Sequence, residues 1–355
     1  MRDQSRKTTK RVSVDSSGAQ SNGHCWGPAI SQSGQYIAFY AAASNLVSGD
    51  TNGVRDVFVH NRYNGRMELV SIDKDGGSAN GQSVDPAISA DGRIVAFESN
   101  ATDLVPGDTN GKTDVFIRNL NTDVTTRISV RSDGRQANGN SNDPEVSGDG
   151  RFVVFDSAAT NLIWKDTNGR RDVFIHEVAT GKTKRMSVSS SEKQAKGASR
   201  QATVNWDGRY IAFESKARNL VAGDTSRGND VFLRDRKLGK TKRVSVSNTE
   251  RQAKGWSGDP KISNSGRYIA FESTAPNLVA KDTNGKWDVF VRDHIRKTTR
   301  IVSRTASGGQ AKYGDSDDPA ISGDARYISF ESTAKNIVSN DKNRAEDIFR
   351  RGALR

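Results

Sequence analysis

Short apolar runs separated by polar turns recur along the whole chain. Residues 85–130 contain four of them: "DPAIS" (85–89), "RIVAFES" (93–99), "DVFIR" (114–118) and "TTRISV" (125–130). Each is short, rich in Val, Ile, Phe or Thr, and bounded by Gly, Asp, Asn or Ser, so each predicts a β-strand. We label the four A to D. Asp91-Gly92 joins A to B, and a Gly there accepts the positive φ that a tight hairpin demands. Its counterparts are Ser33-Gly34, Asp149-Gly150, Asp207-Gly208 and Ser265-Gly266, with Asp324-Ala325 the exception. The link from C to D is also short, as in "ATGKT" (179–183).

The stretch "GDTNGKTDVFIR" (107–118) has five relatives in the chain. Their first aspartates are Asp50, Asp108, Asp166, Asp224, Asp282 and Asp341, spaced by 58 residues four times and then by 59. A fixed period of this kind marks one supersecondary unit written repeatedly. Four antiparallel strands per unit and six units predict an all-β, six-bladed β-propeller, a single domain over residues 1–355. The sixth unit supplies A (318–322), B (326–332) and C (347–351), then stops. Near the start, "TTKRVSV" (8–14) matches "TTRISV" (125–130) and "KTKRVSV" (240–246). Residues 8–14 are therefore expected to add the outer strand to the last blade and remove an open sheet edge.

The form "DPAISADGRIVAFES" followed by "DVFIR" resembles the TolB-type, WD-repeat-like propeller repeat of bacterial extracytoplasmic proteins, over nearly the whole chain. The Trp usual before the hairpin occurs once, in "NWDGRY" (205–210), and the Pro-Asp-Gly form of that turn does not occur. The resemblance implies a six-bladed fold and a periplasmic or secreted location. It leaves function open, because that family includes binding modules, scaffolds and non-catalytic domains of peptidases.

Charge and composition narrow the partners. A formal charge of +12 gives a basic surface, which suits anionic polymers in general. There is no basic run long enough for a tail, and Lys and Arg on strand edges guard against aggregation, so nucleic acid is not the expected partner. The single cysteine, Cys25, excludes an intrachain disulfide and a thiolate zinc cluster. No apolar stretch approaches the roughly 20 residues of a membrane span. The start "MRDQSRKTTKRVSV" lacks the apolar centre of a signal peptide. A monomer without membrane insertion is expected.

Asp108-Thr-Asn110-Gly looks like the opening of a calcium loop. An EF-hand needs an oxygen ligand at position 5, Gly at 6 and Glu at 12. Here these are Lys112, Thr113 and Asn119, and across the units position 5 is Val54, Lys112, Arg170, Gly228, Lys286 and Ala345. The expectation is a turn and no cofactor. If calcium does bind, Asp108, Asn110 and Asp114, with their repeat equivalents, would be the ligands.

Long B–C and D–A links share one face, and function tends to sit on such loops. Trp26 and Trp256 fall in D–A links, Trp164 and Trp287 in B–C links. Trp164 aligns with Ser48, Pro106, Ala222, Ala280 and Ser339, so the repeat does not require an indole there. Exposed aromatics suit stacking on sugars or anchoring a protein partner, and equally can pack locally. Before the proline of strand A stand Asp85, Asp143, Asp259 and Asp318, with Gly27 and Gln201 in the other blades. Strand A is innermost in a propeller, so these carboxylates are expected around the channel mouth. They could attract a cation, a Lys or Arg side chain, or a hydrated metal, or each could cap its own turn.

Glu98, Glu214, Glu272 and Glu331 occur in blades whose strand C carries Arg118, Arg234, Arg292 and Arg351, which suggests paired structural charges. His24 beside Cys25 is a candidate contact residue and poor evidence for a nucleophile. No nucleophile elbow, phosphate loop or zinc-protease motif is present. The reading is a non-enzymatic binding or scaffolding propeller for a protein or carbohydrate partner. The alternative is a polysaccharide lyase or hydrolase with channel-mouth carboxylates as acid and base.

Overall fold

The computed structural model of the chain describes residues 1–3, 7–339, 341–343 and 345–352. The protein is an all-β, six-bladed β-propeller, and no helix occurs among the described residues. By internal contacts it divides into two units, Met1–Lys165 with Ile175–Lys184, and Asp166–Phe174 with Arg185–Arg355, the division running through the third blade.

The first unit opens with a small hairpin, β1 (Arg2–Asp3) and β2 (Thr8–Thr9). Blade one is β3 (Cys25–Ile30), β4 (Tyr36–Ala41), β5 (Asp56–Asn61) and β6 (Met67–Leu69). Blade two is β7 (Ser83–Ile88), β8 (Ile94–Ser99), β9 (Asp114–Asn119) and β10 (Val124–Arg127). The third sheet runs β11 (Ser141–Val146), β12 (Phe152–Ser157), β13 (Asp172–Glu177) and β14 (Lys182–Arg185). In the second unit, blade four is β15 (Ser199–Val204), β16 (Tyr210–Ser215), β17 (Asp230–Asp235) and β18 (Lys240–Arg243). Blade five is β19 (Ser257–Ile262), β20 (Tyr268–Ser273), β21 (Asp288–Asp293) and β22 (Thr298–Ile301). Blade six is β23 (Ser316–Ile321), β24 (Tyr327–Ser332) and β25 (Asp347–Gly352).

Each sheet is a meander whose strands pair in chain order. The middle two strands of a blade are apolar where the next sheet of the same unit covers them. In the first unit Ala38, Val57, Val59, Val95, Phe97 and Phe116 form one cluster between the first two sheets. In the second, Ala212, Val231, Leu233, Ile269, Phe271 and Phe290 do the same between sheets four and five. Phe97 lies opposite Phe116 in register, with ring centroids 5.9 Å apart. The pair recurs as Phe271 and Phe290 at 5.8 Å.

Turn chemistry explains the strand ends. At the A–B hairpin of blade two, Gly92 has φ 77°, and the Ser89 hydroxyl donates to Asp91 at 2.6 Å while accepting the Ile94 amide at 3.0 Å. The Asp-x-Asn-Gly loop fastens strand C to strand D. Asn110 Nδ2 donates to Asp114 Oδ2 at 2.6 Å and to the Ala137 carbonyl at 3.1 Å, and its Oδ1 accepts the Lys112 amide at 2.8 Å. The Ser129 hydroxyl donates to the other Asp114 oxygen. Asn52, Asn168 and Asn284 repeat the arrangement.

Among the described residues, the sixth sheet holds three strands, and Thr8–Thr9 pairs with Arg2–Asp3. The Lys10 amide donates to the Met1 carbonyl at 2.9 Å, and the terminal ammonium donates to the Lys10 carbonyl at 2.8 Å. A hairpin between near neighbours closes a short loop at small entropic cost. Among the described residues of the second unit, β25 pairs with β24 alone. Ile348 is 72% exposed, whereas its counterpart Val115 is fully buried and its carbonyl accepts the Ile128 amide.

Candidate functional site

Two groups of three carboxylates converge, one in each unit. Asp85 of β7, Glu98 of β8 and Asp143 of β11 offer oxygens within 4.8 Å of one another, as do Asp259 of β19, Glu272 of β20 and Asp318 of β23. A bulge in the innermost strand brings them together. The pairing of β7 with β8 shifts register between Val84 and Ala87, and the residue inside the shift, Asp85, has φ 50°. Asp143, Gln201, Asp259 and Asp318 repeat this at φ 51°, 49°, 41° and 42°, and Gly27 at 57°. The left-handed region favours Gly and tolerates Asp and Asn best among the rest. This backbone demand, beside any ligand, explains the recurring Asp.

The two glutamates bind the bulge of the next blade. Glu98 Oε2 accepts the Asp143 amide at 2.9 Å, and Glu272 accepts the Asp318 amide at 3.3 Å. Burial, with the fields of Asp85 and Asp143 behind it, pushes the Glu98 carboxyl up to about 7. Burial and Asp259 do the same to Glu272, also to about 7. The surroundings differ between the groups. Lys261 forms an ion pair with Asp259 at 2.7 Å in the second. In blade four Gln201 replaces the Asp, and Arg200 lies 3.4 Å from Glu214.

The first group has aromatic neighbours. Trp26 stacks on Tyr40 with centroids 5.5 Å apart, His24 lies 5.6 Å from Trp26, and the Arg55 guanidinium sits 4.8 Å above the indole. A Cβ added at Gly27 would lie 2.7 Å from the Tyr40 ring and 3.7 Å from Pro86, so the stack abuts the Asp85 bulge. Burial and then the Asp85 field push the Tyr40 hydroxyl up, Arg55 opposing. Tyr40 and Arg55 carry no sequence motif. Their signal is that blade one changes two positions together: Gly27 replaces the Asp, and Tyr40 the Glu, of other blades. The ring occupies the space a Cβ would need.

Trp164, Trp256 and Trp287 make contacts of their own. Trp164 is 77% exposed with Arg131 at 4.2 Å over its ring, and Trp256 has Lys216 at 5.1 Å. The Trp287 amide donates to Asp315. The proposed pairing of Glu98 with Arg118 is corrected by the register. Glu98 faces Val115, and Arg118 faces Val95. Arg118 instead meets Thr125 and Asp123, while Arg234 and Arg292 reach Glu192 and Glu250. In the Asp-x-Asn-Gly loops the second aspartates, Asp56, Asp114, Asp172 and Asp288, accept Asn and Ser donors. In blade two Arg127 adds an ion pair to Asp108 at 3.4 Å. A calcium ion there would have to displace these donors.

No family model and no curated protein matches the chain. Solved structures do. The β-propeller domain of the trilobed protease from Pyrococcus furiosus, described as having an open velcro topology, matches with a TM-score of 0.56 at 12% identity over 93% of this chain and 82% of that one. The likeness shows the fold. An oligogalacturonate lyase in complex with manganese matches with a TM-score of 0.55 at 10% identity, over 93% of this chain and 78% of that one. TolB from Agrobacterium tumefaciens matches at 15% identity over 79% of this chain and 81% of that one, with a TM-score of 0.48. The chain spans 56% of TolB from Acinetobacter baumannii. The chain is thus similar in fold to β-propellers that include a protease domain and a lyase. No helix among the described residues is long and apolar enough to cross a membrane.

Proposed function

We propose that the protein is a non-enzymatic binding module whose ligand site is the assembly of Trp26, Tyr40 and Arg55 with Asp85, Glu98 and Asp143. The observation that carries this is the contact of an aromatic stack with a carboxylate group on neighbouring innermost strands. An aromatic face gives area and orientation, and carboxylates give charge recognition. The complementary ligand presents a cation next to an apolar or planar group. A Lys or Arg side chain on a protein partner fits, and so does a sugar ring with its hydroxyls on the carboxylates. Screening labelled protein on peptide and glycan arrays tests this and separates the two. A ligand retained by Trp26→Ala and Asp143→Asn alike would remove the site. An extracytoplasmic location goes with the TolB-type repeat and is tested by cell fractionation.

One observation favours the enzymatic alternative. A carboxyl raised by burial to about 7 beside two further carboxylates has the character of a general acid or base. Turnover of an acidic polysaccharide that Glu98→Gln abolishes would establish a lyase or hydrolase instead. We favour binding, because the Glu98 oxygen is already engaged by the Asp143 amide.

A further inference from the structure

A second site lies in the second unit, remote in chemistry from the carboxylates. A cavity of about 460 Å3 opens beside β18, between residues 221–225 of blade four and the C–D turn of blade five. Its charged lining is mainly basic: Lys242, Arg243, Arg292 and Lys297, with Glu250 the carboxylate among them and His294 alongside. The two arginines are engaged. Arg243 pairs with Asp224 at 2.8 Å, and Arg292 pairs with Glu250 while donating to Ser247 and Thr299. Lys242 Nζ meets His294 Nδ1 at 2.6 Å. Burial, and next Lys242 itself, push that imidazole down to about 4, so it is neutral and accepts one ammonium hydrogen. Lys242 Nζ also donates to the His294 carbonyl at 3.4 Å and keeps its third hydrogen for a ligand, with Asp235, Glu250, Arg292 and Lys297 as its charged surroundings.

Lys297 stands at a turn position of the repeat where positive φ recurs, Asp123 holding it at 55° in blade two. Lys297 has φ 56°, at a position held by Gly65, Gly181 and Gly239 in blades one, three and four, with φ 74°, 66° and 64°. A lysine is strained where glycine is not. That strain places a second ammonium at the cavity wall. Lys242 and Lys297 are point charges without the planar fork that matches a carboxylate. We propose that this cavity binds a tetrahedral oxyanion, a sulfate or phosphate group, between Lys242 and Lys297.

The test is titration calorimetry of the full chain with inorganic sulfate, inorganic phosphate and acetate at about 50 mM salt, where screening is modest. Saturable binding of sulfate or phosphate, and weaker binding of acetate, is expected. Lys297→Gly restores the residue the turn holds in blades one, three and four, so it should fold, and it should weaken binding about tenfold, as loss of one charge-assisted bond does. Lys242→Met should act similarly. Lys281→Gly is the matched control. Lys281 also has positive φ, 63°, and does not line the cavity. Its affinity should stay within about twofold of the parent, since only distant charge is lost. No saturable binding, equal loss in the Lys281 and Lys297 variants, or acetate bound as tightly as sulfate would overturn the proposal.

Discussion

Glu98→Gln should make the protein more stable at alkaline pH and leave it unchanged in acid. The Glu98 carboxyl is raised from 4.5 to about 7, first by burial and then by Asp85 and Asp143. The folded protein thus holds this proton more tightly than the unfolded chain does. The penalty for ionising it is absent below about 4.5 and grows until pH passes about 7. A shift of this size corresponds to about 3 kcal/mol at full ionisation. Glutamine keeps the oxygen that accepts the Asp143 amide and removes the titration. Chemical denaturation of parent and variant at about pH 4 and about pH 8 measures it: a gain of about 3 kcal/mol is expected at the higher pH and close to none at the lower. An equal difference at both values, or a loss at the higher one, would refute the reasoning. Parent stability should also fall from about pH 4 to about pH 6, because Asp56 and Asp288 are raised to about 6 by burial.

Three further outcomes follow from packing. Val115→Lys should cost about 4 kcal/mol or more, because Val115 is fully buried under β10, while Ile348→Lys at an exposed position of β25 should stay within about 0.5 kcal/mol; equal losses in denaturation would mean that Ile348 is covered in solution. Gly27→Ala should destabilise by about 2 kcal/mol through positive φ and collision with Tyr40, and a neutral result in thermal melts would contradict the packing there. Asn110→Ala should cost about 1–3 kcal/mol by freeing Asp114 and the Ala137 carbonyl. Adding calcium or a chelator should leave the parent melting temperature in place, and a rise of many degrees with calcium would mean that these loops are metal sites.

Most of the architecture was legible because it is written six times. Substitutions between units separate what a blade requires from what one blade adds. Repetition could not report register. Glu98 and Arg118 change together between blades, yet they sit three rows apart on paired strands and meet other partners. Residues 8–14 carry the outer-strand pattern, and Thr8–Thr9 pairs in a local hairpin. The Asp before proline was visible, whereas the bulge that turns it toward a neighbouring Glu was not. That bulge depends on a backbone φ which Gly, Asp and Gln all adopt here. Tyr40 was hidden for a related reason: its meaning lies in the Cβ that Gly27 lacks.

The account rests most heavily on the aromatic–carboxylate assembly of the first unit. Its direct test is the affinity of an array-identified ligand for the parent, Trp26→Ala and Asp143→Asn, with the ligand recovered afterwards and weighed by mass spectrometry. The account predicts that each variant weakens binding about tenfold or more, as loss of an aromatic anchor or a charged partner does, and that the ligand returns intact. Undiminished binding in both variants, or a cleaved ligand, would contradict it.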